Sequence, residues 1–457
     1  MKICLLNPPK FQKRLSKDII INFNVARFSR GVDLVYGTTS PTELAILAAE
    51  ISKQHKVIFL DANASNMLPR EINRWILTNN PDYLIIKCGD TTLIDDLIYY
   101  YFAEGIGVKT IVWEDMLNPI FSNELIKNYH VKRIMYGEPE RVIFDFLNGK
   151  SGVIGGDFIP DLNRLPQPLF DKLPMRKYYK EGKSNWYSFL SRGCGWGKCE
   201  FCLMADKNIP HRLRSLDHIK EELDLLEKYK IKSIYFWDPQ FNPGIKRAKQ
   251  VSELLLYYNF KWECWFRCDN FDEELFKLMK KSGCFRIHIG LENASQMVLD
   301  SFQKGIKVHN IYKTINLAKK YDIECAAYMV LGTPEESKES FNKTIKFIKK
   351  AKPTTIVPAS FRPFPNTPLT KRMMEQNFLK ADHFSLSNFS NCFGFDTVSK
   401  TKYLTNTELK NEIEKIHKLS TKLAIKSYLK EPLKWKGLIK PFLIRTVNNY
   451  LKNDTYI

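Results

Sequence analysis

Apolar positions along this chain fall into two successive series of short β-rich runs separated by amphipathic stretches. In the first series, runs at Ile3–Asn7, Val57–Asp61, Tyr83–Lys87, Lys109–Trp113 and Val131–Tyr136 alternate with helical-period segments at 41–53, 68–79, 92–104, 121–129 and 139–148. Strands alternating with helices predict a parallel, doubly wound, Rossmann-like sheet over residues 1–150, an α/β unit that binds ligands at the carboxyl ends of its strands. The segment Lys10–Pro41 fits no element, and loops that long are usually functional. Gly155-Gly156 with Pro160, Pro166, Pro168 and Pro174 marks 151–185 as a linker.

The second series has strand runs at Trp186–Leu190, Ser233–Trp237, Trp262–Arg267, Arg286–Gly290, Glu324–Leu331 and Thr355–Phe361. Amphipathic segments at 217–229, 245–258, 272–282, 294–302, 308–321 and 338–351 lie between and after them. Six β/α units predict a partial (β/α)6 barrel over 186–380, with its chemistry at the carboxyl ends of the strands. In the remaining segment, 381–457, Ile413, Ile416, Leu419 and Leu423 recur at helical spacing and predict a helical tail.

Composition narrows the class. At 44% hydrophobic and 13% aromatic residues the chain is globular, not disordered. It lacks an apolar run of about 18 residues, the length expected of a membrane-spanning helix. The opening apolar run is too short for a secretory signal, and ten cysteines in 457 residues are too sparse for a disulfide scaffold. The expectation is a cytoplasmic protein with reduced thiols. The formal charge of +20 invites nucleic acid, anionic lipid or phosphorylated ligands. Residues 400–457 carry 13 basic and 5 acidic residues. Lys418, Lys422, Lys426, Lys430 and Lys434 form a stripe there, followed by apolar residues from Trp435 to Ile444, a pattern compatible with peripheral contact at a membrane surface.

Cys4, Cys88, Cys284 and Cys325 sit in apolar runs and read as core residues. Cys194, Cys199 and Cys202 do not: they fall within nine residues of a glycine-rich loop directly after a predicted strand. Thiolates favour zinc or iron–sulfur clusters. Structural zinc requires four ligands, and the nearest candidate for a fourth is His211. Three thiols instead suit a four-iron cluster with one open iron. Gly193, Gly195 and Gly197 would let the backbone approach it closely.

This loop, at the end of the first barrel strand, resembles that of the radical S-adenosylmethionine (radical SAM) superfamily, although its Cys-x4-Cys-x2-Cys spacing is one residue longer than the usual Cys-x3-Cys-x2-Cys. Further motifs follow in matching order: Ile234–Phe241 with Asp238, Trp262–Asp269 with Arg267, Ile287–Ser295 with Glu292, Gly332-Thr-Pro334-Glu-Glu336, and Arg362–Leu369. The resemblance implies that Cys194, Cys199 and Cys202 hold a [4Fe–4S] cluster. Phe201, Asp238, Arg267 and Glu292 would surround S-adenosylmethionine. One-electron reduction, by a flavodoxin- or ferredoxin-type donor, would yield a 5′-deoxyadenosyl radical that attacks an unactivated carbon.

The first domain resembles the cobalamin (B12)-binding domain that precedes this barrel in one branch. The likeness rests on Leu6-Asn-Pro-Pro9, Pro41–Ala49, Leu60-Asp61 and Gly137-Glu138-Pro-Glu140. No Asp-x-His-x-x-Gly follows the first strand, so no histidine should ligate cobalt, and Trp113-Glu114-Asp115 stands where a glycine pair is usual. The resemblance implies cobalamin walls at Asn7, Pro9, Thr91, Thr92, Gly137 and Glu138. It implies methylation, or cyclisation, of a small-molecule, lipid or peptide substrate. Two other readings are a radical SAM enzyme with a cobalamin-free first domain and a zinc-stabilised, basic nucleic-acid-binding protein. No RNA-binding module accompanies the barrel, so no nucleic acid is expected as a partner.

Overall fold

The computed structural model describes residues 1–9, 12–14, 20–22, 40–89, 92–114, 121–178, 186–206, 208–379, 385–386 and 400–429. The first unit comprises β1 (Lys2–Asn7), α1 (Thr42–Ser52), β2 (Lys56–Asp61), α2 (Pro69–Asn79), β3 (Tyr83–Cys88), α3 (Leu93–Gly105), β4 (Lys109–Glu114), α4 (Ser122–Lys127), β5 (Arg133–Tyr136), α5 (Pro139–Leu147) and β6 (Gly152–Gly155). The strands form one parallel sheet in the order β2-β1-β3-β4-β5-β6. Central strands such as β3 are buried along their whole length because helices cover both faces. Ile3, Leu5, Ile85 and Trp113 face α1 and α5; Cys4, Leu6, Ile86 and Val112 face α3. The sixth strand falls inside the stretch whose glycines and prolines read as linker.

The second unit follows the sequence pattern. Its strands are β7 (Trp186–Ser188), β8 (Ser233–Phe236), β9 (Lys261–Phe266), β10 (Cys284–Glu292), β11 (Glu324–Leu331) and β12 (Thr355–Ser360). All pair in parallel, in the order β12-β11-β10-β9-β8-β7. Helices α6 (Leu216–Lys228), α7 (Ile245–Leu255), α8 (Glu273–Lys281), α9 (Val308–Lys320), α10 (Lys338–Ala351) and α11 (Pro368–Glu375) cover the outside. Their starts are chemically marked: the side chains of Ser215, Asp272, Ser337 and Thr367 accept from the backbone N–H three residues on. The outer strand face, including Trp186, Ile234, Phe236, Trp262 and Ile289, packs under these helices.

Helix α12 (Asn406–Leu429) lies against β12 and closes the open edge of the partial barrel. Leu409, Ile413 and Ile416 are buried there, and the Ser420 hydroxyl donates to the Ile356 carbonyl at 2.7 Å. The apolar stripe thus has a docking function within the fold. Lys418 is exposed and pairs with Glu414, whereas Lys430, Lys434 and the segment from Trp435 to Ile444 lie outside the described residues. No helix among the described residues is long and apolar enough to cross a membrane.

The two sheets meet with their strand ends facing each other. Ser40 and Thr42, ahead of and at the start of α1, bond the backbone of Tyr187. Leu203, just after the cysteine loop, and Phe364, after β12, pack into the first unit's core around Leu93 and Phe121. Tyr178 OH donates to Asp61 at 2.6 Å.

Candidate active site

The cysteine loop leaves β7 through a two-residue ribbon, Ser191–Arg192 paired with Arg212–Leu213. At Gly193 (φ +83°) a Cβ would stand 2.3 Å from the Pro210 carbonyl oxygen, so only glycine fits the turn into the loop. Cys194, Cys199 and Cys202 are half-buried and outside any disulfide. The Cys202 thiol caps the short helical turn that follows, accepting from Met204 N–H at 3.4 Å.

The loop is held from several sides. Trp196 Nε1 donates to the Gln303 carbonyl at 3.0 Å, and the Arg267 guanidinium lies 4.3 Å from the indole centroid. Glu200 pairs with Arg372 at 2.8 Å and accepts from Gln303 Nε2 at 2.7 Å. Asp238, buried just after β8, accepts from Leu190 N–H at 2.8 and 3.0 Å and from Ser191 Oγ at 2.5 Å. Burial pushes its carboxyl up to about 6, against the pull of those donors. Asp238 therefore anchors the strand end that carries the loop. Arg267 is likewise tied to Asp269 at 2.7 Å and to the Lys304 carbonyl at 2.8 Å.

Glu292 lies at the end of β10, where the register with β11 shifts and its φ is +54°. Its carboxylate accepts from Lys304 Nζ at 2.6 Å, and both side chains are nearly buried. Lys304 Nζ also lies 5.8 Å from the Phe201 ring centroid; Phe201 meets Phe302 edge-to-face at 5.2 Å. Burial opposes the Lys304 charge, but Glu292 and the Cys199 thiol outweigh it and hold the ammonium above its ordinary value. Burial pushes the Cys199 thiol up to about 11; Lys304 and Arg267 pull it down, while Cys202 and Glu292 push it further up. Cys199, Cys202, Phe201, Arg267, Glu292 and Lys304 thus form one electrostatic neighbourhood. Lys304 had no signature in the sequence, since it sits in a turn with no periodic pattern.

Glu336 in the Gly332-Thr-Pro334 motif turns back on its own loop. It accepts from the N–H groups of Gly332 and Thr333, the latter at 2.7 Å, and from Asn293 Nδ2 at 2.9 Å. Burial pushes its carboxyl up to about 7. His288 is buried, with Nε2 2.9 Å from a Glu263 carboxylate oxygen.

At the other sheet, the polar residues expected to wall a cobalamin are bonded within the fold. Asn7 Nδ2 donates to Asp61 at 2.8 Å, and Thr92 Oγ1 donates to Asp96 at 2.8 Å. Glu138 accepts from Arg212 at 2.6 Å and from Ile159 N–H at 2.7 Å. Arg192, two residues before Cys194, pairs with Glu140 at 2.7 Å and with Glu138 at 3.5 Å. Gly137 (φ +71°) and Pro9 are half-buried at strand ends, and Thr91 lies outside the described residues. Trp113 fills the space between the sheet and helices α1 and α5, with Lys87 Nζ 4.5 Å from its ring. Glu114 bonds Phe121 N–H and the Ser122 hydroxyl. Both described first-unit histidines, His55 and His130, lie at the opposite end of the sheet, in the turns leading into β2 and β5.

Among the described residues no three His, Cys, Asp or Glu side chains come together tightly enough to hold a single metal ion. Three thiols spread along a loop suit the separate corners of a cluster. A parallel partial barrel with such a loop at the mouth of its first strand, beside a buried Glu–Lys pair, has the architecture of an iron–sulfur enzyme that cleaves S-adenosylmethionine.

Comparison with known proteins agrees. Residues 188–348 match the Radical SAM superfamily and form a radical SAM domain, which works with a [4Fe–4S] cluster and S-adenosylmethionine. An uncharacterised methyltransferase of Pyrococcus horikoshii is 27% identical over 424 residues, 87% of this chain and 89% of that protein. The bacteriochlorophyllide d C-12(1)-methyltransferase of Chlorobaculum tepidum is 22% identical over 431 residues, 91% of this chain and 90% of that protein. The fold is shared with the cobalamin-dependent S-adenosylmethionine radical enzyme OxsB at TM-score 0.70 and 17% identity, covering 97% of this chain and 72% of that one.

Proposed function

We propose that the chain is a cobalamin-dependent radical SAM methyltransferase acting on an unactivated carbon. The observation that supports this best is the joint between the units: the ribbon that carries the cysteine loop is clasped to the first sheet, Arg192 and Arg212 pairing with Glu138 and Glu140 just after β5. When bound, the cluster, S-adenosylmethionine and a corrinoid supply the electron, radical and methyl-transfer chemistry. The chain's own residues do the positioning. Cys194, Cys199 and Cys202 would hold three irons. Phe201 offers a ring for adenine, and Glu292 with Lys304 offers a paired acceptor and donor for ribose hydroxyls or the S-adenosylmethionine carboxylate. Asp238, Arg267 and Arg192 fix the loop.

Asn7, Pro9, Thr92, Gly137 and Glu138 would line the corrinoid face through backbone and apolar surface, since their polar side chains are already bonded. The cobalt would carry no protein imidazole, and Trp113 would keep a nucleotide tail out of the α1–α5 face. A flavodoxin- or ferredoxin-type protein would deliver the electron. The basic stripe beyond residue 429 would provide any contact with a membrane surface.

Anaerobic reconstitution with iron, sulfide and hydroxocobalamin tests the proposal. We expect about four irons per chain, retained corrinoid absorbance, and transfer of label from methyl-labelled S-adenosylmethionine. A chain that takes up the cluster but no corrinoid would support the cobalamin-free alternative instead.

A further inference from the structure

The segment from Asp238 to Asn242, just after β8, runs beside the cysteine loop and is pinned along its length. Asp238 accepts from Leu190 N–H and Ser191 Oγ, and Phe241 N–H donates to the Trp265 carbonyl at 2.8 Å. The Phe241 ring packs on Trp262 with 5.0 Å between centroids. Asn242 uses both ends of its amide: Nδ2 donates to the carbonyls of Arg267 and Asn270, each at 2.8 Å, and Oδ1 accepts from Arg267 N–H at 2.8 Å. Gln240 is the exception. The residue is 4% exposed, yet its carboxamide forms no hydrogen bond with the described residues, and Oε1 is sealed from solvent without a partner.

The amide lies against the cysteine loop. A Cβ on Gly195, the residue after Cys194, would stand 2.4 Å from Gln240 Nε2 and 3.4 Å from His211 Nδ1. His211 Nε2 is also buried and also lacks a partner among the described residues. Two unpaired polar side chains therefore close on one point of the loop, in the stretch between Cys194 and Cys199.

Burying an amide without a partner is costly, and folded proteins rarely leave one so. Packing does not account for this one, because a leucine of nearly the same size would fill the position without that cost. What glutamine supplies and leucine would not is an N–H donor. The group expected beside Gly195 is the cluster held by Cys194, Cys199 and Cys202. Hydrogen bonds to the sulfurs of such a cluster help set its reduction potential. A donor stabilises the reduced, more negative state more than the oxidised one. We infer that Gln240 donates its amide N–H to sulfur on the Cys194 side of the [4Fe–4S] cluster and thereby raises its reduction potential. Lys304 and Arg267 supply positive charge beside Cys199 to the same effect. The inference rests on the radical SAM reading for the presence of the cluster; the unpaired amide itself does not.

Two variants test it without touching a cysteine. Gln240→Leu removes the donor at nearly constant volume. Gly195→Ala keeps the donor but sets a methyl group against Nε2, and Gly195 has no left-handed φ that alanine would strain. The full chain is reconstituted anaerobically, its iron and sulfide are counted, and the cluster is titrated by electron paramagnetic resonance with no S-adenosylmethionine added. We expect both variants to take up wild-type iron and to show a more negative midpoint, about tenfold in the reduction equilibrium or ~59 mV for one electron. In the cluster-free chain, Gln240→Leu should hold or raise the urea midpoint, because the amide has no bond there to lose. If either variant fails to hold the cluster, the other carries the comparison. A wild-type midpoint potential in the variants, or a lower urea midpoint for cluster-free Gln240→Leu, would overturn the inference. An unchanged potential with weaker S-adenosylmethionine binding would overturn it too, and assign the amide to that ligand. Absence of cluster uptake by the wild type would instead overturn the enzyme reading.

Discussion

Replacing Lys304 by Gln isolates the electrostatics of the site. The substitution removes an ammonium 2.6 Å from Glu292 and leaves a nearly buried carboxylate next to the cysteine thiols. At ~4 Å between charge centres and an effective dielectric of ~20, a pair of this kind is worth about 4 kcal/mol before desolvation. Breaking a buried pair by deleting one partner typically costs about 3–5 kcal/mol. Relaxation of the site and entry of water limit that loss, so the loss in global stability should be smaller. The functional losses should be larger in proportion. If S-adenosylmethionine brings its carboxylate to this neighbourhood, as proposed, losing one charge-assisted hydrogen bond at about 1.5–3 kcal/mol weakens binding roughly tenfold to a hundredfold. Removing a positive charge beside the cluster also makes its reduction harder; ~1.4 kcal/mol corresponds to ~59 mV for one electron. Equilibrium dialysis with S-adenosylmethionine and a redox titration followed by electron paramagnetic resonance measure the two effects. A variant with wild-type affinity and wild-type midpoint potential would refute the assignment of Lys304 to the site.

Other substitutions separate loop, turn and interface. Cys199→Ala should abolish cluster retention, read as loss of bound iron and sulfide, with little change in far-UV circular dichroism. Glu336, whose carboxyl burial pushes up to about 7, should contribute stability that is full below about pH 4.5 and is lost as pH rises through about 7, of order 3 kcal/mol. Urea unfolding of wild type and Glu336→Gln across that range should show the wild type losing more stability, and parallel profiles would contradict this. Arg192→Met strands Glu140 and weakens the hold on Glu138, so it should lower the urea midpoint and loosen the domain seam to limited proteolysis, a change of about 3–5 kcal/mol.

The positions of the strands and helices in both units were legible in the sequence because most strands are either wholly buried or face helices on one side, which leaves a strong apolar pattern. The cysteine loop was legible because its chemistry is local. The residues that complete the site were not. Lys304 reaches Glu292 across a turn without periodicity. Asp238 reads as a neighbour of S-adenosylmethionine, yet its partners are Leu190 and Ser191, nearly fifty positions earlier. Glu138 belongs to a four-residue motif whose meaning depends on Arg212, 74 positions away. The sixth strand of the first sheet was hidden by glycines, which bury little and carry no alternation.

The ionic seam bears on how the protein responds to salt. Glu138, Glu140, Arg192 and Arg212 join the first sheet to the strand ribbon that carries the cysteine loop. All four side chains are nearly buried, and buried pairs are screened far less than exposed ones. The joint should therefore keep its geometry over a wide range of ionic strength, while the many exposed lysine pairs elsewhere on the surface fade.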